Sequence, residues 1–251
     1  MNARKISTGL SWLLYFAALC VFAALGMFGQ TLPAAAQTER FEIASIKAVR
    51  PALVDTIAAL QKGDVAGARA AFDAYDSLWN GIEMYVNTRS KDIYDTLEHG
   101  FQARIEKAFS APSPDAATLL LEAQAMLAKY DETIDIVSKS PPLNPLYDDI
   151  ARLRIVRAHL REVVPALKAG NFDKARKSFS AFDSAWDTIE DMVKAHSADD
   201  YVAVEKGMIE IEKALMAEKP DVAAATALVN GVMAKYNATL AALAKEARSR
   251  P

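Results

Sequence analysis

The segment YDSLWNGIEMYV at residues 75–86 returns as FDSAWDTIEDMV at 182–193. It is one window of a longer self-match. Displacing the chain by 107 residues lays Val49 on Val156, Arg50 on Arg157, Leu53 on Leu160, Leu60 on Leu167, Gly63 on Gly170, and Ala68-Arg69 on Ala175-Arg176. The register holds through Phe72 and Phe179, Asp76-Ser77 and Asp183-Ser184, Trp79 and Trp186, Ile82-Glu83 and Ile189-Glu190, Tyr94 and Tyr201, Glu98 and Glu205, and Gly100 and Gly207. The second copy then lacks one residue. A displacement of 106 pairs Ile105-Glu106-Lys107-Ala108 with Ile211-Glu212-Lys213-Ala214, Pro114-Asp115 with Pro220-Asp221, and Ala128-Lys129-Tyr130 with Ala234-Lys235-Tyr236. Two copies of one unit must share one kind of fold, so the duplication sets the architecture.

Within each copy, apolar residues recur at intervals of three and four and breakers fall between the runs, which is the pattern of amphipathic helices. The first unit predicts helices over 43–62, 65–88, 91–110 and 115–138, stopped by Gly63-Asp64, Ser90 and Pro112-Ser113-Pro114-Asp115. The second predicts 147–169, 172–195, 199–216 and 220–246. Pro51 and Pro165 fall inside the first helix of each unit, where a proline removes a hydrogen bond and kinks or ends the helix. SKSPPLNPL at 138–146 joins the units, and its three prolines suit a stiff connection. No stretch alternates as a strand does. The expected fold is all-α: two tandem four-helix bundle repeats, residues 37–140 and 141–251, after an N-terminal signal peptide at 1–36.

That signal reading rests on Arg4 and Lys5, an apolar run from Leu10 to Phe28, and the A-x-A site of Ala34-Ala35-Ala36. The run is also long enough to span a bilayer, so an uncleaved anchor is the alternative, and membrane contact is expected only in that case. Cleavage would leave roughly 215 residues in a periplasmic or extracytoplasmic protein. Cys20, the one cysteine, lies within the signal, which removes thiol chemistry and disulfides from the mature chain. The 29 basic side chains less Arg4 and Lys5 leave 27 against 32 acidic ones. Nucleic acid, which demands clustered Lys and Arg, is not an expected partner.

On the second helix of the first unit, Arg69, Phe72, Asp76, Trp79, Glu83 and Val86 are spaced 3, 4, 3, 4 and 3, so they share one stripe. Arg176, Phe179, Asp183, Trp186, Glu190 and Val193 repeat it. The third helices add Tyr94, Glu98, Phe101 and Ile105 on one line and Tyr201, Glu205 and Met208 on the other. Carboxylates among aromatics require compensation. Four explanations compete. The acids are satisfied internally, with Arg69 and Arg176 neutralising Asp76 and Asp183 and Trp and Tyr donating; or Glu83, Glu98, Asp76 and Tyr94 present hard oxygen ligands to a cation; or the acids sit at a wet helix edge; or a carboxylate pair catalyses. His99, His159 and His196 have no metal-ligand spacing, and neither a phosphate loop nor a G-x-S-x-G elbow is present, so an enzyme is not expected. Gly100 and Gly207 are expected to permit a tight helix contact in both copies.

The stretches KGDVAGARAAFDAYDSLWNGIE (62–83), HGFQARIEKAF (99–109), AGNFDKARKSFSAFDSAWDTIE (169–190) and KGMIEIEKAL (206–215) resemble the imelysin-like periplasmic proteins of bacterial iron uptake and the extracytoplasmic helical domains of bacterial iron permeases. The resemblance implies a duplicated bundle and a metal site closed by a histidine and a glutamate. Gln102 or Ala103, and Ile209, stand where that histidine would be, whereas Glu106 and Glu212 match the glutamate. Together the stripe and the resemblance nominate Asp76, Glu83, Glu98, Glu106, Asp183, Glu190, Glu205 and Glu212 as ligands for iron or another oxygen-preferring divalent cation. An iron-transport component or another periplasmic protein is the expected partner. The rival expectation is a scaffold or sensor module whose acids satisfy one another.

Overall fold

Every regular element among the described residues is helical. The computed structural model describes residues 39–250, so the expected signal segment 1–36 and Cys20 lie outside the described residues. No described helix is long and apolar enough to cross a membrane.

Helix α1 (Phe41–Gln61) runs through Pro51 without a break. It ends at Gly63, whose φ of 72° is the left-handed conformation that glycine adopts without steric cost. There the Asp64 N–H returns to the Ala59 carbonyl at 3.0 Å. Asp64 then caps α2 (Val65–Ile82) by accepting from the Gly67 N–H at 2.8 Å. The same turn recurs at Gly170, φ 70°, where Asn171 accepts from the Lys174 N–H at 3.0 Å.

The helix predicted over 65–88 is interrupted at Glu83, beyond which α3 (Met84–Asn87) follows. The span 91–110 is composite: α4 (Lys91–Asp95), a π-helical segment (Thr96–Gln102) and α5 (Ala103–Phe109). Helix α6 (Ala116–Lys139) completes this half, capped by Asp115. In the other half the first helix breaks where sequence predicted one piece, giving α7 (Leu146–Arg161) and α8 (Val163–Lys168). Pro165 cannot donate to the Arg161 carbonyl and its ring crowds that group, so the helix parts at Glu162. Then come α9 (Phe172–Trp186), α10 (Glu190–His196), α11 (Ala198–Met216) and α12 (Val222–Ser249).

The π-helical segment explains the change of register between the copies. α11 is one uninterrupted α-helix where its counterpart carries a π turn, and the extra residue falls within that turn's neighbourhood. Accommodating one added residue as a π turn keeps both flanking faces directed at the core. Glu98 before the insertion and Ile105 after it therefore both retain their places.

Helix α1 packs on α2 and α6, α2 lies against α7, and α7 contacts α9 and α12. Trp79, Trp186, Tyr75, Phe72 and Phe182 are among the largest fully buried side chains. Matching bonds lock matching helices. The Tyr130 hydroxyl donates to the Ile46 carbonyl at 2.8 Å, and the Tyr236 hydroxyl to the Leu153 carbonyl at 2.8 Å. Where α2 meets α7, a Cβ on Gly81 would stand 2.7 Å from Ile155 Cγ1, so only glycine fits. The tight contact expected at both Gly100 and Gly207 is found only at Gly207, whose Cβ would stand 2.3 Å from Val232 Cγ2. A Cβ on Gly100, within the π-helical segment, would come no nearer than 3.7 Å to Arg104 Nη1 or the Asp95 carbonyl.

Candidate functional site

The aromatic–carboxylate pairing is the most regular feature of the core. Trp79 is fully buried on α2 and donates its indole N–H to Glu98 on the π-helical segment at 2.6 Å. In the second half, Trp186 on α9 donates to Glu205 on α11 at 2.5 Å. Each tryptophan fills the space between helices and supplies the donor that a half-buried carboxylate needs. Tyr75 and Tyr130 pack around Trp79 with ring centroids about 6 Å apart (6.1 and 5.9 Å), and Phe182, Tyr201 and Tyr236 surround Trp186.

The other acids of the first half form two groups. Asp76 Oδ1 accepts from Gln102 Nε2 at 2.6 Å and from Asn80 Nδ2 at 2.9 Å, and the same Gln102 nitrogen lies 3.3 Å from Glu106. Glu83, where α2 breaks, pairs with Arg154 of α7 at 3.1 Å. Burial raises the pKa of both Asp76 and Glu83, opposed at Asp76 by Gln102 and at Glu83 by Arg154. The sign follows. A carboxyl with a raised folded-state pKa binds protons more tightly when folded, so it favours folding below that pKa and less as pH rises through it. Relative to wild type, Asp76→Asn and Glu83→Gln are therefore expected to lose stability less steeply as pH climbs from the ordinary values of 3.8 and 4.5; urea unfolding at a series of pH values measures the difference.

In the second half the counterparts disperse. Asp183 and Glu212 are exposed, Glu190 lies beside the Tyr201 hydroxyl, and only Glu205 is held by an indole. Asp183 is raised by partial desolvation and then by Asp187, Glu212 and Glu205. Glu106 is exposed too. Of the eight nominated carboxylates, Glu106, Asp183 and Glu212 are exposed, whereas Asp76, Glu83, Glu98, Glu190 and Glu205 are part-buried. Among the described residues no group of three or more His, Cys, Asp or Glu lies close enough to hold a metal ion.

The predicted arginine partners are also different. Arg69 is exposed and pairs with Asp73 at 3.2 Å, while Arg176 donates to the Leu215 carbonyl at 2.8 Å and reaches Asp173 at 3.4 Å. Arg69 precedes Asp76 by two helical turns, which on an α-helix is about 10 Å along the axis. A nearer acid takes it.

A further pair was not anticipated from the stripe. Glu42 is 3 % exposed at the start of α1, and Arg89, just past α3, donates to its carboxylate at 2.5 Å. Arg40 Nη1 lies 3.0 Å from the other oxygen as a contact of charges. Arg40 and Arg89 also donate to the Val137, Ser140 and Pro141 carbonyls, tying the start of α1 to the end of α6. A displacement of 107 carries Glu42 to Asp149 and Arg89 to His196, which themselves pair at 3.1 Å. The recurrence keeps an acid opposite a nitrogen base but changes both identities, so matching identical residues passes over it. His159 is half-buried with its pKa lowered by burial, and His99 is exposed beside Asp95.

Set against known proteins, the chain matches no family model, no curated protein and no solved structure.

Proposed function

We propose that the protein is an exported, non-enzymatic scaffold or interaction module made of two tandem four-helix repeats, with its inward acids holding helices and repeats in register. One observation carries this reading: Glu83, one of the acids at matching positions in both copies, is taken up by Arg154 from the other half. An acid clamped by an arginine is compensated without a ligand. Supporting it, Glu98 and Glu205 each accept from a buried indole. Export is supported by the signal-like residues 1–36, and a periplasmic protein is the partner class that follows.

A second reading, cation binding in aid of iron uptake, is favoured by Gln102. Its Oε1 is buried without a hydrogen-bond partner, although its Nε2 serves Asp76 and Glu106. Turned over, the amide would set a third oxygen beside both carboxylates, an arrangement that only a cation would favour. The resemblance to imelysin-like proteins supports the same centre. Calorimetric titration of the protein produced from its full-length sequence with Mn2+, Ca2+ and, anaerobically, Fe2+ separates the readings. The scaffold reading expects no saturable binding below about 1 mM, the weak end of protein calcium sites. Saturable binding lost in Gln102→Ala would replace it with the cation reading.

A further inference from the structure

A cleft of about 310 Å3 opens where α3, α7 and α12 meet, away from the Asp76–Gln102 group. Its floor is apolar, built from Met84, Ile150 and Ala244, and its rim carries Asn87 and Thr88. Two guanidiniums, Arg154 and Arg248, line it as well.

The charges are unevenly satisfied. Arg154 spends one bond on Glu83, from Nη1 at 3.1 Å, out of the five donors a guanidinium carries. Arg248 is exposed and has no hydrogen-bond or ion-pair partner among the described residues, while the backbone beside it is held. The preceding residue, Ala247, is 1 % exposed and its carbonyl accepts from Asn144 Nδ2 of the inter-repeat connection at 3.0 Å. Within the group of Arg154, Arg248 and Glu83, two cations stand against one carboxylate, an excess of one positive charge. Concave apolar walls with a few convergent polar donors are the ordinary makeup of a small-molecule site, and this volume falls at the small end of such sites.

We infer that this cleft binds a small organic monoanion, a carboxylate on a short apolar body, with Arg248 and the free donors of Arg154 on the oxygens and Met84, Ile150 and Ala244 against the body. A planar guanidinium fork matches a carboxylate bidentately. A single net charge favours a monoanion over a dianionic phosphate. The inference goes beyond the scaffold reading: that reading uses the bond from Arg154 to Glu83, whereas the cleft uses Arg248 and the donors that Glu83 leaves free on Arg154.

Benzoate, benzamide and phenyl phosphate are the probes, titrated into the protein produced from its full-length sequence and followed by calorimetry. Benzoate is expected to bind saturably and more tightly than phenyl phosphate, and benzamide, its uncharged counterpart, at least about tenfold more weakly, since charge-assisted hydrogen bonds are lost. Arg248→Gln, an exposed position whose replacement leaves folding intact, is expected to weaken benzoate about tenfold or more by the same loss. Ala244→Phe, which fills the floor without changing a charge, is expected to abolish binding. The inference is overturned by the absence of benzoate binding up to about ten millimolar, a concentration that exceeds weak ligand affinities, by benzamide or phenyl phosphate binding as well as benzoate, or by undiminished binding in Arg248→Gln. Should Ala244→Phe not fold, the Arg248 variant and the probe comparison decide.

Discussion

Replacing Glu42 with alanine is expected to cost about 3–5 kcal/mol of folding stability, the usual penalty for stranding one member of a buried ion pair. Glu42 and Arg89 have side chains 4 % and 6 % exposed. Removing the carboxylate leaves the Arg89 guanidinium in a place where water cannot replace the lost partner, and Arg40 loses its counter-charge as well. The loss is a large share of the 5–15 kcal/mol that holds a typical domain. Glu42→Leu combined with Arg89→Met should recover most of it, because an apolar pair of similar volume removes the desolvation cost together with the attraction. Urea unfolding of the single and double variants provides the comparison. Equal instability in both would mean that the carbonyl contacts of Arg89, not its charge pairing, dominate.

Trp79→Ala is the second large effect, expected to cost about 3–5 kcal/mol, the range for truncating a buried aromatic. The indole is fully buried, packs with Tyr75 and Tyr130, and holds Glu98 on the π-helical segment. Trp79→Phe keeps most of the packing and removes the donor. It should cost about 1–3 kcal/mol, the penalty for a polar group left unsatisfied. Trp186→Phe, which strips Glu205 of the matching donor, is expected to behave alike. A Trp79→Phe protein as stable as wild type would show that water takes over the Glu98 oxygen.

Helices and their ends could be read from local sequence, because spacing and capping are local matters. Asp64, Ser90 and Asp115 cap the helices at the positions where the breakers predicted their starts, and Ser197 and Asp221 cap the counterparts of two of them in the second copy. The two tryptophan–glutamate bonds lie within the predicted stripes, since each joins consecutive helices of one copy. What escaped were pairings set by tertiary packing. Arg154 lies 71 residues from Glu83, in the other copy, and no periodicity within one helix reveals it. The Glu42–Arg89 pair was hidden for a different reason: its counterpart substitutes aspartate and histidine, so only a comparison of charge would have found it. The π turn left a trace in the single-residue change of register, but a gap alone does not distinguish a helical insertion from a longer loop.

The break of α2 at Glu83 links this geometry to the proposed role. Helix α3, which follows the interruption, contributes Met84 and Asn87 to the cleft and Tyr85 to a bond with Asp148 at 2.6 Å. Glu83 itself stands at the interruption and meets Arg154 of the other half.

A double-mutant cycle between Glu83→Ala and Arg154→Ala, measured by urea unfolding, addresses the structural role of the acids most directly. With side chains 20 % and 27 % exposed, the pair is partly screened, and the account predicts a coupling of about 1–2 kcal/mol. A coupling within about 0.3–0.5 kcal/mol of zero, the limit at which independent sites simply add, would contradict it.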